Sequence, residues 1–273
     1  MKRILVIDND STWASQSCVL PYEVETARGS LDALQRLRHK AFDVMVTSGR
    51  THIDEDLALF KESRQVRPGL KAIFLAPSAT APEIISALRA DVFGCLVAPF
   101  TVTEVADLIH AAAEAVDWHD GIQVLAARTD WISLRVTCSL VTVERLTGFM
   151  SAMRTDVPES TREDLLFAFR EVLMNAMEHG AGFDPEKVID VSAVRTERAI
   201  VYYFRDPGAG FDPTALSQST TVSAAIDPMA HLEYRAAQGI RPGGFGMLIV
   251  RQLVDEVMYS EAGNEVLLIK HTR

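Results

Sequence analysis

Cysteine is scarce in this chain. The three among its 273 residues, Cys18, Cys95 and Cys138, are far apart, form no CxxC pair and stand in apolar stretches. That spacing argues against a metal site or a disulfide framework and predicts buried free thiols in a reducing compartment. A basic excess is lacking too. With a net charge of -10, the chain has no compositional sign of a surface for nucleic-acid phosphates, so DNA is not an expected partner. Long apolar runs are also missing. The opening MKRILVIDND reaches acidic residues too soon for a signal-peptide core, and no later run spans a bilayer, which predicts a cytoplasmic protein without a membrane partner. What the chain does have is core material: 48% apolar residues over a length that suits two ordinary domains.

The most informative stretch is residues 160–180, STREDLLFAFREVLMNAMEHG. Ser160 with Glu163 has the form of a capping box, and Gly180 and Gly182 are stop signals, so the run reads as one helix ending near His179. Leu165, Phe169, Val172 and Ala176 make an apolar stripe suited to packing on a sheet. Glu171, Asn175, Glu178 and His179 fall on another face, which alone reads equally well as a solvated face or as a site. Two glycine-rich stretches follow, RDPGAGFD at 205–212 and RPGGFGMLIVRQLVDEV at 241–257. Alone, GGFG reads as a helix-capping turn. The three stretches together resemble the N, G1 and G2 boxes of the GHKL (Bergerat) ATP-binding fold. Within that superfamily, GGFGMLIVRQLVDEVMYSEAGNEVLLIK, with no histidine-bearing dimerisation helix, looks most like the anti-sigma-factor serine/threonine kinases. The resemblance covers the second half of the chain.

The first half alternates β-rich runs at 3–7, 23–27, 43–47, 72–76 and 94–97 with amphipathic stretches, the last at 103–116. This pattern predicts an α/β domain with a flavodoxin-like, doubly wound parallel sheet. ILVIDND, FDVMVTSGR, KAIFLAPS and GCLVAPF resemble the receiver domain of bacterial response regulators over residues 1–118. In that family, acids after the first strand hold Mg²⁺ and an aspartate ending the third accepts phosphate. A hydroxyl and a lysine ending the fourth and fifth strands respond to it. The corresponding residues here are Asp8 and Asn9, then Ser48, Ala76 and Ala98, so only Asp8, with Asp10 beside it, survives. Serine is no substitute for a carboxylate already ionised beside a metal. The domain therefore reads as a pseudo-receiver, with phosphorylation of Ser48 by a separate kinase as the alternative. Pro99 is expected to follow a cis bond. The surface around Phe93, Val97 and Phe100 is where receivers commonly dimerise or dock, which leaves a homodimer open, and ordinary core packing explains most of those residues equally well. His110 lacks a following acid and reads as a partly buried structural histidine.

The turn-rich DWHDG at 117–121 divides residues 1–118 from 122–273. The second part is expected to be an α+β GHKL/Bergerat ATPase sandwich. Its strands are placed at 122–126, 131–137, 187–194 and 198–205, and its helices at 141–153, 160–179 and 247–257.

The resemblance implies roles for individual residues. Asp206 accepts a hydrogen bond from the exocyclic amine of adenine, and Gly208 and Gly210 let the backbone approach the base. Asn175 offers its amide oxygen to Mg²⁺. Gly243, Gly244 and Gly246 with the following helix N-terminus cradle the β and γ phosphates, and Arg241 adds charge there. Glu171 is the general base that orients an acceptor hydroxyl, while His179 supports the phosphate end or the lid without taking part in the chemistry. Residues 213–240 correspond to the ATP lid. Residues 264–270 lack the threonine with which many relatives make a second adenine contact. The implied cofactors are ATP and Mg²⁺, and the implied partners are an anti-sigma-factor antagonist, a sigma factor, or both. Two alternatives remain: a nucleotide-sensing interaction module without phosphotransfer, and a histidine-kinase-like ATPase fragment acting on a separate phosphoacceptor.

Overall fold

A computed structural model of the chain describes residues 1–8, 21–47, 50–116, 121–153, 157–210 and 246–272. The chain forms two compact units, Met1–Asp120 with Glu144–Asp156, and Gly121–Val143 with Val157–Arg273.

In the first unit the described strands are β1 (Arg3–Ile7), β2 (Glu23–Ala27), β3 (Val44–Val46), β4 (Lys71–Ala76) and β5 (Gly94–Val97). They pair in parallel in the order β2-β1-β3-β4-β5. Helices α1 (Ser30–His39), α2 (Ile53–Val66), α3 (Ala81–Arg89) and α4 (Val102–Glu114) connect or follow them. The central strands read as unbroken apolar runs because they are covered on both faces: Ile4, Leu5, Val44, Met45 and Val46 are fully buried. Capping boxes pair Thr80 with Glu83 and Thr101 with Glu104, which sets where α3 and α4 begin. At the other end of α4, Lys71 Nζ donates to the carbonyls of Ala112 and Ala115, so a lysine from the sheet satisfies the helix C-terminus.

Some local expectations shift. Strand β3 ends before Thr47: the Thr47 N–H still donates to Ile73 O at 3.0 Å, but its Oγ1 accepts from Leu75 N at 2.9 Å and donates to Leu75 O at 3.3 Å. Ala98-Pro99 is cis, as expected. Phe93 is fully buried, so it belongs to the core and not to an exposed patch. His110 is exposed instead of partly buried, with Nδ1 2.6 Å from Tyr22 Oη, and the Tyr22 hydroxyl also reaches Glu114 at 3.2 Å. Cys95 and Cys138 are free and buried, and burial pushes their thiols up to about 12 and about 11. Cys18 lies outside the described residues.

Residues 144–156 group with the first unit. Arg145 is almost wholly buried there. Its guanidinium donates to Phe93 O at 2.9 Å and Val92 O at 3.2 Å, lies over the Phe93 ring at 5.2 Å, and stands 3.6 Å from Asp91. Burial lowers its pKa to about 10, with Asp91 opposing.

The second unit is built on a six-stranded antiparallel sheet of order β10-β11-β9-β8-β7-β6. Its strands are β6 (Ile122–Arg128), β7 (Trp131–Thr137), β8 (Val188–Arg195), β9 (Ala199–Arg205), β10 (Glu256–Tyr259) and β11 (Glu265–His271). Side chains alternate, with Ile132, Leu134, Val136, Ile189, Val191, Ala193, Ile200, Tyr202 and Phe204 buried on one face. Helix α5 (Leu140–Ala152) passes into the first unit at Glu144, and its predicted inward residues Leu146, Phe149, Met150 and Met153 are all buried. Helix α6 (Glu159–Asn175) packs against β9 and α7 (Gly246–Leu253). The Phe169 ring centroid lies 5.1 Å from those of both Tyr202 and Phe204.

The ends of these helices differ from the sequence reading. Pro158 stands at the N-cap of α6 and the Ser160 cap is not formed. Proline's fixed φ, here -54°, already suits helix entry, so Glu159 becomes the first helical residue. At its far end the helix widens into a π segment, Ala176–Gly180. Helix α7 stops at Leu253 and Glu256 enters a strand. Lys270 Nζ takes the Leu253 carbonyl at 2.7 Å, and Asp255 N–H already bonds Ile269 O on β11 at 2.9 Å.

One carboxyl is poorly solvated. Asp56, in the first turn of α2, is 3% exposed. Its Oδ1 accepts from Thr51 Oγ1 at 2.7 Å, while Oδ2 has no hydrogen-bond partner among the described residues. Burial raises its pKa from 3.8 to about 6, against the opposing Thr51 and Thr47 hydroxyls. The folded chain therefore favours the protonated form. The associated stability is complete below pH 3.8 and is lost as pH rises through about 6. Asp56→Asn is expected to remove this dependence: between about pH 4 and pH 8 the parent should lose about 3 kcal/mol relative to the variant in urea denaturation. Parallel pH profiles for the two proteins would contradict it.

Candidate functional site

The alternation of β9 continues past the strand. Tyr202 and Phe204 face α6, and Asp206, two residues further on, carries the same face beyond the sheet edge. Its carboxylate meets the end of the π segment. A β-carbon on Gly180 would overlap Asp206 Cγ and Oδ1, so only the bare Cα of glycine fits against this carboxylate. Gly208 closes the other side: its N–H donates to Asp206 Oδ1 at 2.8 Å, and a β-carbon there would stand 2.8 Å from Gly180 O and 2.9 Å from Gly180 Cα. Asn264, next to β11, takes the Asp206 N–H on its carbonyl at 3.0 Å. Partial burial raises the Asp206 pKa, and the Gly208 N–H opposes that shift. Gly210 has φ +76° and lies so close to the Ala262 carbonyl that a β-carbon would overlap it.

The π segment places Gly180. Ala181 N–H donates to Ala176 O at 2.9 Å, five residues back, in place of the four-residue spacing of an α-helix. Gly182 and Phe183 then turn the chain away with φ +68° and +54°.

A second cluster forms where α6 meets α7. Gly246, the first residue of α7, packs so tightly on Glu171 that a β-carbon would overlap Oε2. The Glu171 carboxylate thus lies against the opening turn of α7. Asn175, the last residue of α6, is half-buried one turn after Glu171. His179 is exposed on the π segment. The structure therefore brings Asp206 to Gly208 and Glu171 to Gly246. Arg241, Gly243, Gly244 and residues 213–240 lie outside the described residues. Two participants were missed in the sequence. Gly180 reads there only as a helix stop, and the contact of Asn264 is made by its main chain, which no residue type announces.

A pocket of about 440 Å³ opens at the same end of the sheet, bordered by Asp206, Pro207 and Asn264. Its other walls are outer-face side chains, among them Arg135, Asp190 and Arg205. Arg135 and Asp190 are ion-paired at 2.8 Å on its wall.

In the first unit, Asp8 is buried at the end of β1 and its N–H donates to Ala27 O at 3.0 Å. Ala76 ends β4 fully buried, and Ala98 N–H donates to Ala76 O at 2.9 Å. These two positions offer only methyl groups. Asn9 and Ser48 lie outside the described residues.

Residues 137–270 match the model of a known family. That family is the histidine kinase-like ATPase domain. The first unit has the receiver fold, whose 2-1-3-4-5 parallel order it reproduces. It is similar to a response regulator receiver domain of the CheY-like type from Methanospirillum hungatei (24% identity, TM-score 0.37, 40% of this chain and 91% of that one). It is also similar to the signal receiver domain of an HD domain-containing protein from Pseudomonas fluorescens (21% identity, TM-score 0.37, 41% and 94%) and to a Francisella response regulator receiver domain (19% identity, TM-score 0.38, 42% and 98%). No curated protein is significantly similar to the chain. The chain thus joins a flavodoxin-like fold of the receiver type to a stretch that matches histidine kinase-like ATPase domains.

Gly210→Ala is expected to part the 206–210 turn from Ala262 and to lower stability in urea denaturation by about 2 kcal/mol. Gly182→Ala, at a similar φ but facing open space, should lose only about 1 kcal/mol. Equal losses would show that the contact with Ala262 contributes nothing.

Proposed function

We propose that the chain is an ATP-dependent serine/threonine protein kinase of the anti-sigma-factor type, with residues 122–273 as its kinase domain and residues 1–118 as a receiver-like module without phosphorylation chemistry. The observation that carries the reading is Glu171: one helical turn before Asn175, with its carboxylate against the first residue of α7. Helix N-terminal N–H groups favour anions, so the opening turn of α7 is where the terminal phosphates of ATP would lie, with Gly243, Gly244, Gly246 and Arg241 around them.

In this mechanism Asp206 accepts from the exocyclic amine of adenine, and Gly208 and Gly210 allow the base to approach. Glu171 takes the proton of a serine or threonine hydroxyl as that oxygen bonds to the γ-phosphorus. The bond from phosphorus to the bridging oxygen breaks, and ADP leaves with the electron pair. Mg²⁺ would be held by the Asn175 amide oxygen and by nucleotide and water oxygens. The half-buried Asn175 amide is a neutral oxygen donor of the kind a hard cation accepts beside phosphate and water oxygens. When bound the ion supplies neutralising charge for the phosphates. His179 supports the phosphate end or the lid.

The protein substrate in this reading is a small antagonist of the anti-sigma type, and a sigma factor is the second partner. The receiver-like module regulates the kinase or mediates a homodimer. The site of action is the cytoplasm, in keeping with the lack, among the described residues, of any helix long and apolar enough to cross a membrane. Glu171→Ala is expected to bind ATP within about twofold of the parent while phosphotransfer to the antagonist falls by about 100-fold or more. Labelled ATP with purified antagonist measures both. Undiminished transfer by the variant would overturn the reading, and a parent that binds ATP but transfers nothing would leave a nucleotide-sensing interaction module.

A further inference from the structure

We infer that Gly180 is a specificity-determining residue of this site, a positioning residue that acts through Asp206. The inference rests on the adenine-reading role proposed for that carboxylate and adds how the carboxylate is aimed.

Asp206 sits one residue beyond β9, where the sheet no longer holds it on both sides. A free aspartate there would rotate among staggered rotamers, and a carboxylate that must meet one amine would lose affinity to that freedom. Three contacts remove it. The Asp206 N–H is fixed by Asn264 O at 3.0 Å. Oδ1 is fixed by the Gly208 N–H at 2.8 Å. The remaining side is closed by the Cα of Gly180, against which Asp206 Cβ, Cγ and Oδ1 all rest so closely that a methyl group would overlap them. Gly208 in turn rests on Gly180 Cα and O. One glycine therefore underlies both the carboxylate and the turn that holds it. The five-residue hydrogen bond from Ala181 N–H to Ala176 O keeps Gly180 in the widened last turn. The requirement at position 180 is for the absence of a side chain. Unlike Gly182, Gly180 has no positive φ to explain it.

The substitution to make is Gly180→Ala, with nucleotide-base selectivity as the readout. Binding of ATP is compared with binding of inosine triphosphate, which carries a carbonyl in place of the exocyclic amine. The preference of the parent for ATP is expected to fall by about 10- to 100-fold in the variant, with inosine triphosphate binding within about twofold of the parent. In an Asp206→Gly background, where the overlapping atoms are gone, adding Gly180→Ala should change neither nucleotide affinity nor the thermal midpoint. Equal weakening of both nucleotides by Gly180→Ala, or a further loss in the Asp206→Gly background, would overturn the inference. If Gly180→Ala alone does not fold, recovery of folding in the double variant supports the same coupling, and failure there overturns it. A parent that binds the two nucleotides equally defeats the adenine reading itself, and the inference with it, so the two failures are told apart.

Discussion

The packing of the Phe169 ring edge-on to Tyr202 and tilted to Phe204 is the contact on which the second unit depends. It joins the middle of α6 to the middle of β9, and everything chemical stands at fixed offsets from that join. Two residues past Phe204 is Asp206. Two residues past Phe169 is Glu171, and a turn later is Asn175. Aromatic rings packed edge-on or tilted at this distance contribute both buried area and a preferred geometry. The rotation of α6 about its axis is thereby set, so that one face supplies core and the adjacent face supplies the glutamate and the amide.

Glycine does the remaining work by what it omits. At positions 180, 208, 210 and 246 the main chain of one segment lies where a neighbour's side chain or carbonyl would otherwise be excluded. These contacts bring together segments from α6, β9, α7 and the turn before β11. The site is assembled from helix ends and strand ends, where main-chain groups are still free to meet a ligand. A polar cluster in the middle of the sheet would have had to satisfy itself.

The first unit is held by a different set of constraints. Its parallel sheet needs only buried apolar strands and capped helices, and these are intact. At the ends of β4 and β5, Ala76 pairs with Val97 and its carbonyl accepts from Ala98 N–H, with only methyl side chains at Ala76 and Ala98. Asp56 is a separate matter. Its carboxyl pKa is raised by burial against the Thr51 and Thr47 hydroxyls, and it ties this unit to pH.

Much of the architecture was legible in the residues because it follows local rules. Unbroken apolar runs marked the parallel strands, alternation marked β7 to β9, and β1, β2 and β5 fall where those patterns end. The order of glycine boxes after a helix with Glu171 and Asn175 pointed to the ATPase domain for the same reason, since each motif is a short-range pattern. The amino-acid sequence by itself thus determined the two fold types and the burial of Cys95 and Cys138. Tertiary structure decided what depends on contacts between distant segments: the π turn that delivers Gly180 to Asp206, the grouping of Arg145 with Val92 and Phe93, the early end of α7 at a strand partner, and the unpaired oxygen of Asp56. In each of these a residue answers to a neighbour far away in the chain, and no local period or propensity records where that neighbour will be.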